Sequence, residues 1–143
     1  MKESRELDGI SYKVFEDPVE IKEFVDDKVR KEWEKDIKKA GRDPKKSRWL
    51  GNLSSRRWRL ATLYSKEIKL NPEIMSIKNE KTGFNFYEDL LKRKADLKLK
   101  MQRYTTPFPP VIVREEDMNL MDGYCRFTTL NDLSVPRVYA YLG

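Results

Sequence analysis

The sequence predicts an α+β protein, in which helices pack on a small mixed β-sheet and a helical N-terminal extension precedes the sheet. Two patterns support this class: apolar residues recur at helical spacing after Asp17, and the last third alternates strand and helix signals. The length of 143 residues suits one domain with one core.

The first predicted element is a long helix that begins after Asp17 and ends at Gly41. Asp17 provides an N-cap, Pro18 suits the first helical position and Glu20 the third. The opposite face carries Lys and Glu, which is typical of a solvated surface. The apolar positions, spaced over roughly six turns, are Ile21, Phe24, Val25, Val29, Trp33, Ile37 and Ala40.

The middle of the chain predicts a short helix, a short strand, a loop and a second long helix. Residues 55–65 are expected to be helical, and residues 67–72 alternate as a strand that Asn-Pro ends. Residues 73–85 have loop composition. Helical spacing resumes at Phe86, with Asn85 as its N-cap.

The last third predicts two strands, a helix and a closing strand. Apolar stretches at 111–113 and 118–121 predict the first two strands, and Asp-Gly at 122–123 breaks the second. Residues 124–133 have helical spacing, and residues 137–142 alternate as the closing strand. This order indicates a mixed sheet covered by helices.

Composition excludes several classes of function. The chain has no histidine, which excludes a Ser–His or Cys–His catalytic couple within one chain and any His-ligated metal. Its single cysteine, Cys125, excludes an intramolecular disulfide and favours a reducing compartment. Because neither a signal peptide nor an apolar run of the ~20 residues that span a bilayer is present, we expect a cytoplasmic protein without a membrane partner.

The basic segment, residues 42–59, concentrates positive charge. Five arginines and two lysines stand against one aspartate, so its net charge of +6 equals that of the whole chain. Trp49 and Trp58 interleave with these charges, a pattern that suits phosphate contacts and base stacking. The alternative is that the tryptophans anchor the core and the charges confer solubility. The predicted DNA contacts are Arg42, Lys45, Lys46, Arg48, Arg56, Arg57 and Arg59.

The junction at Gly123 predicts an anion site. A glycine there ends a strand and opens a helix, whose first N–H groups have no partner within the helix and carry partial positive charge. Arg126, three residues on, is placed to grip a phosphate. The alternative is that this arginine forms a structural ion pair with Glu115, Glu116 or Asp132.

Four stretches resemble the ParB N-terminal domain and sulfiredoxin-like superfamily: Pro109–Val113, Asp122–Arg126, Thr128–Leu133 and Val135–Val138. The stretch Glu67–Pro72 is similar to the first strand of that family. The resemblance implies a nucleotide-binding domain over residues 65–143 and leaves residues 1–64 as a basic helical extension.

Members of this superfamily bind nucleoside phosphates at a Gly-x-x-Arg helix start. The resemblance therefore implies that Gly123, Tyr124, Cys125 and Arg126 bind the phosphates of ATP or ADP, or of CTP as the alternative, together with Mg²⁺. Cys125 stands where the family has a histidine. The catalytic cysteine of sulfiredoxins corresponds to Tyr124, so their repair activity is not expected.

Without histidine, carboxylates must act as bases and metal ligands. Glu73 and Asp122 are the candidate catalytic residues, and Asp122 is also the candidate Mg²⁺ ligand. Asp122 has the alternative role of capping the helix after it. Lys92, Arg93 and Lys94 either reach the phosphates, as basic residues do in relatives, or form a solvated face.

The function expected from these features is that of a stand-alone ParB-N-like protein. It would bind a nucleoside phosphate, bind DNA non-specifically and hydrolyse the nucleotide slowly, with metal-dependent DNA cleavage as a further activity. One alternative is a small-molecule kinase like the free serine kinase, with Glu73 as base. Another is a non-enzymatic, nucleotide-regulated DNA-binding module. The sequence does not specify the oligomeric state.

Overall fold

The computed structural model describes residues 2–103 and 107–143, with all of their side chains except those of residues 54, 73 and 98–103. The strands are β1 (Glu3–Leu7), β2 (Ile10–Val14), β3 (Arg59–Tyr64), β4 (Lys69–Leu70), β5 (Lys78–Asn79), β6 (Phe84–Asn85), β7 (Val111–Arg114), β8 (Asn119–Asp122) and β9 (Arg137–Leu142). The α-helices are α1 (Pro18–Phe24), α2 (Arg30–Lys39), α3 (Arg48–Asn52), α4 (Pro72–Met75), α5 (Phe86–Arg103) and α6 (Tyr124–Asp132).

A five-stranded mixed sheet lies at the centre, in the order β3-β9-β7-β8-β4. β3 runs antiparallel to β9, and β7 antiparallel to β8, whereas β7 with β9 and β4 with β8 are parallel pairs. The central strand β7 begins with three buried apolar residues, Val111, Ile112 and Val113, as expected for a strand covered on both faces. The predicted α+β class, a small mixed sheet with packed helices, is confirmed.

The long helix predicted after Asp17 is also confirmed. The Asp17 carboxylate accepts a hydrogen bond from the Val19 N–H at 2.9 Å, and α1 and α2 are joined by one wider, π-helical turn over Val25–Val29. Ile21, Val25 and Val29 are buried in the same apolar core as the central sheet. Burial of this face fixes the helix against the sheet.

Both tryptophans of the basic segment belong to the core. Trp49 and Trp58 are 6% and 3% exposed, and their rings meet edge to face at 6.1 Å. The prediction that they anchor the core is therefore confirmed, since rings this buried are not presented for stacking on bases.

The helix predicted over residues 55–65 is wrong. Those residues contain β3, which pairs with β9 from Arg59 opposite Leu142 to Tyr64 opposite Arg137. Pairing along the whole of β9 satisfies one edge of β3, and such tertiary pairing overrides weak local preference. One strand of the central sheet thus comes from the first 64 residues.

A hairpin of β1 and β2 precedes the long helix. Its turn is Asp8-Gly9, with φ of +50° and +81°, a sequence favoured in two-residue hairpin turns. The Phe15 N–H donates to the Tyr141 hydroxyl at 2.8 Å, and Arg137 pairs with Asp8 at 2.8 Å. These contacts fix the hairpin to the last strand of the sheet.

The connection predicted as a loop over residues 73–85 is more ordered than expected. It contains most of the short helix α4 and the two-residue strands β5 and β6, which pair antiparallel. The Asn85 side chain accepts a hydrogen bond from the Glu88 N–H at 3.1 Å, which confirms it as the cap of α5. Within the described residues, no helix is both long and apolar enough to cross a membrane.

Candidate functional site

The site forms where β8 ends and α6 begins. Gly123 joins the two elements with φ of +90°, a conformation that residues with a side chain rarely adopt. A Cβ atom on Gly123 would lie 2.8 Å from both Val111 Cγ1 and Arg126 Nη2. Among the described residues, no side chain makes a capping hydrogen bond to α6, so its first N–H groups are left for a ligand or solvent.

The Arg126 side chain folds back across this junction. Its Nη2 lies 3.6 Å from Asp122 Oδ2 and 3.4 Å from the Pro110 carbonyl oxygen. Its Nε is buried and has no hydrogen-bond partner among the described residues. A guanidinium has five N–H donors, so these long contacts leave donors for an anion.

The structural ion pairs considered for Arg126 are wrong, because the three acids have other partners. Glu115 pairs with Arg59 at 2.7 Å, Glu116 with Arg56 at 2.9 Å and Asp132 with Lys94 at 2.6 Å. The acid beside Arg126 is Asp122.

Asp122 directly precedes Gly123, and its carboxylate contacts both Gly123 and Arg126. Burial raises the pKa of its carboxyl group, while Arg126 and a hydrogen bond from the Gly123 N–H act in the opposite direction. The carboxylate therefore contacts both the junction and the arginine. The alternative that Asp122 caps α6 is wrong, because its carboxylate accepts from the Gly123 N–H and no described side chain makes a capping hydrogen bond to α6.

A cleft of about 180 Å³, here called the helix cleft, lies between α2 and the start of α6. Glu32 and Asp36 of α2 line it on one side, and Asp122 and Arg126 on the other. Burial raises the pKa of both α2 carboxyl groups. The apolar part of its wall consists of Trp33, Ile37, Ile74, Ile77, Phe86 and Met121.

Sequence reasoning missed Glu32 and Asp36, because it assigned the acids of the first helix to a solvated face. Their spacing carried a signal, since each directly precedes a half-buried apolar residue of the helix, Trp33 or Ile37. Residues at the edge of an apolar stripe lie at the boundary between core and solvent.

Tyr124 and Cys125 offer their backbone rather than their side chains. The Tyr124 hydroxyl donates to the Leu120 carbonyl oxygen at 2.7 Å and accepts from the Asn71 N–H at 2.9 Å, and burial raises its pKa. Cys125 packs against the core, and burial raises the pKa of its thiol. Neither side chain is poised for anion binding.

Among the other residues predicted for the site are three basic residues of α5, one of which lines the helix cleft. Arg93 lines the helix cleft and pairs with Asp89 at 3.0 Å, whereas Lys94 is held by Asp132 and Lys92 is exposed. The side chain of Glu73 lies outside the described part of the chain, so its predicted catalytic role and the kinase alternative stay predictions.

The charges of the basic segment fall into two groups. Arg56 stacks on Trp49 with 4.9 Å from its guanidinium carbon to the ring centroid, and like Arg59 it pairs with a carboxylate. The others are exposed and form no ion pair with a described residue: Arg42, Lys45, Lys46, Arg48 and Arg57.

The donor set limits how the site could hold a metal. Within the described ranges, no group of three or more His, Cys, Asp or Glu side chains is placed to hold a metal ion. Asp122 is one carboxylate beside the Gly123 junction. This suits Mg²⁺ that arrives bound to phosphates and keeps most of its waters.

Comparison with solved structures finds similarity to ParB N-domains. One pNOB8-like ParB N-domain structure matches at 18% identity with a TM-score of 0.42, over 59% of this chain and 29% of the other. A second such structure matches at 18% identity with a TM-score of 0.39, over 60% and 28%. The chain spans less than a third of either matched chain.

No protein-family model and no curated protein matches the chain. Both structural similarities concern the fold alone.

Proposed function

We propose that the chain binds a nucleoside phosphate, with a phosphate group at the start of α6. The observation that carries the proposal is the Arg126 guanidinium, whose buried Nε has no described partner, lying over Gly123 beside the uncapped helix. Unpaired helix N–H groups and an arginine together form a strong phosphate-binding arrangement.

The helix cleft supplies a place for the nucleobase. Its apolar wall includes Trp33, Phe86 and the isoleucines at 37, 74 and 77, which suit a flat, largely apolar ring. The carboxyl groups of Glu32 and Asp36 are acceptors for an exocyclic amino group. Adenine and cytosine both carry such a group, which supports ATP or ADP, with CTP as the alternative.

Slow hydrolysis is the reaction that this arrangement supports. Asp122 lies next to the phosphate-binding residues, and its raised pKa makes it a better base than an ordinary carboxylate. Magnesium, bound by the phosphates and by Asp122 through water, would neutralise charge on the transferred group.

Non-specific DNA binding is the second function that we propose for the same chain. Five exposed cations of the basic segment have no described carboxylate partner, so phosphates would not have to displace one. The buried tryptophans take no part. Affinity would come from charge alone and would fall with salt.

The experiment for the nucleotide proposal is calorimetric titration of ATP, ADP and CTP, each with Mg²⁺. Wild type should bind one of them at micromolar affinity, and Arg126→Gln should weaken binding at least about tenfold, because glutamine cannot make the charge-assisted hydrogen bond. Lys66→Gln is the matched control, since this exposed lysine lies outside the helix cleft and its replacement removes the same charge. Absence of binding by all three nucleotides would refute the proposal.

A further inference from the structure

A second cleft lies on the other side of Arg126. It measures about 290 Å³ and is bounded by the β1–β2 hairpin and the first long helix. Its cationic lining consists of Lys2, Lys13, Lys28 and Arg126, and we call it the basic cleft. The resemblance predicted from the sequence does not extend to the segments that provide the three lysines.

The lysines of the basic cleft are held in place without being neutralised. The Lys2 ammonium lies 5.3 Å from the Phe15 ring centroid, and the Lys28 ammonium lies 5.8 Å from that of Phe24. Lys13 Nζ donates to Ser4 Oγ at 2.6 Å. No described carboxylate lies within ion-pair distance of these three ammonium groups.

Positive charge exceeds negative charge in the basic cleft. Four cations face two carboxyl groups, those of Glu32 and Asp122. Asp122 is engaged by Arg126 and the Gly123 N–H. A concave surface with surplus positive charge favours a compact anion with more than one negative charge.

The remaining wall is apolar and aromatic. It includes Phe15, Phe24 and Tyr141, with Pro107 and Pro109 at the edge. Rings beneath ammonium groups hold the lysines in position and exclude water from one side, which strengthens their attraction for an anion. Lysine binds phosphate as a point charge, without the planar geometry that arginine requires.

We infer that the basic cleft is a second anion site, which binds a diphosphate group through Lys13, Lys28 and Arg126. The group can be free pyrophosphate or a diphosphate ester, because the cations recognise its charge. The site does not depend on the nucleotide proposal. Since Arg126 lines both clefts, the two ligands would compete for its guanidinium.

The test is a titration of the full chain with inorganic pyrophosphate and, separately, with methyl diphosphate. Wild type should bind at least one, and Lys28→Gln or Lys13→Gln should each weaken it about tenfold, because each removes one charge-assisted hydrogen bond. Lys22→Gln is the control: this exposed lysine on α1 does not line the cleft, so its replacement should change affinity less than about twofold.

The place where pyrophosphate binds is determined from amide chemical shifts in ¹⁵N-labelled protein. The inference expects pyrophosphate to shift the amides of Lys13, Phe15 and Lys28. It is overturned if neither anion binds, if the Lys22 variant loses as much affinity as the Lys28 variant, or if only the amides of residues 123–126 respond. Failure of nucleotides to bind would leave this outcome unaffected, so the two proposals fail separately.

Discussion

Gly123 determines how closely Arg126 approaches the start of α6. With a hydrogen in place of a side chain, Gly123 lets the guanidinium come close: Arg126 Nη2 lies 2.8 Å from where a Cβ atom would be. The guanidinium therefore lies next to the residue that precedes the first turn of α6. One residue thus provides both the turn and the space that a phosphate site requires.

Replacing Gly123 by alanine should therefore destabilise the protein more than the same change at Gly9. Both glycines have positive φ, +90° and +81°, so each alanine bears a backbone strain of about 1–2 kcal/mol. At Gly123 the new Cβ meets Val111 and Arg126 at 2.8 Å, whereas at Gly9 no atom of the described residues lies within 4 Å. Urea unfolding of both variants measures the difference in the free energy of unfolding. Equal destabilisation would show that the contacts with Val111 and Arg126 do not crowd the new Cβ atom.

Asp122 should oppose binding and promote turnover. Its charge lies beside the proposed phosphate, so without Mg²⁺ Asp122→Asn should tighten nucleotide binding roughly fivefold, from about 1 kcal/mol of repulsion removed. The same variant should hydrolyse nucleotide with Mg²⁺ at least about 100-fold more slowly if the carboxylate is the base. Calorimetry and phosphate release measure the two effects. Unchanged hydrolysis would exclude Asp122 as the base.

Local signals predicted the centre of the site but not the two acids that α2 adds to it, Glu32 and Asp36. Gly123 and Arg126 belong to one strand–turn–helix stretch, where sequence spacing fixes their relation. Glu32 and Asp36 come from a distant helix, and only the fold, which places α2 across the helix cleft from the start of α6, brings them to the site. A solvated and a cleft-facing carboxylate look alike in a helical pattern.

The elements that were predicted correctly are those with their own end signals. Asp17 and Gly41 bound the first long helix, and Asn85 caps α5. β3 has no comparable local signal, because its partner β9 lies more than 70 positions away along the chain. The Asp8-Gly9 turn of the first hairpin was a local signal that went unused.

At the level of elements, α2 should make stability depend on pH through Asp36. Burial raises the pKa of this carboxyl group above its ordinary 3.8. A raised folded-state pKa means that protonation favours the fold, so this stabilisation is complete below the unfolded pKa and disappears as pH rises through the folded pKa.

Asp36→Asn cannot undergo this change. Its free energy of unfolding relative to wild type should increase from about pH 4 to pH 7, by less than about 1 kcal/mol because the group is partly exposed. Asp27→Asn is the control, since Asp27 is exposed and pairs with Lys31 at 3.0 Å. Thermal unfolding across this range tests the sign, and a difference that falls with pH would show that Asp36 is stabilised as its anion.

At the scale of the whole molecule, charge separates into regions with different roles. Trp49 and Trp58 of the basic segment are buried in the core and are not exposed to a ligand. Two of its arginines are neutralised by ion pairs, Arg59 by Glu115 and Arg56 by Glu116. The cations of the basic segment that are free to bind a polyanion are the other exposed ones, which include Lys45, Lys46 and Arg48. The sequence showed how much charge there is, whereas the fold determines which charges are already paired.

DNA binding should therefore depend on the exposed cations more than on the paired ones. The triple variant Lys45→Gln, Lys46→Gln, Arg48→Gln should reduce the slope of log affinity against log salt by up to about 0.9 for each phosphate that is no longer neutralised. The double variant Arg56→Gln, Arg59→Gln should change that slope less. Fluorescence anisotropy with a duplex of arbitrary sequence measures both slopes. If both variants reduced the salt slope equally for each charge removed, ion pairing with Glu115 and Glu116 would not limit the contribution of Arg59 and Arg56.

The central claim is that a nucleoside phosphate binds at the start of α6. Amide chemical shifts during titration of ¹⁵N-labelled protein with ADP and Mg²⁺, repeated with CTP, test it most directly. The account predicts that the largest shifts arise at Gly123, Tyr124, Cys125 and Arg126 and disappear in Arg126→Gln. Shifts confined to residues 42–59, or none with either nucleotide, would contradict it and would show that the α6 junction does not bind a nucleoside phosphate.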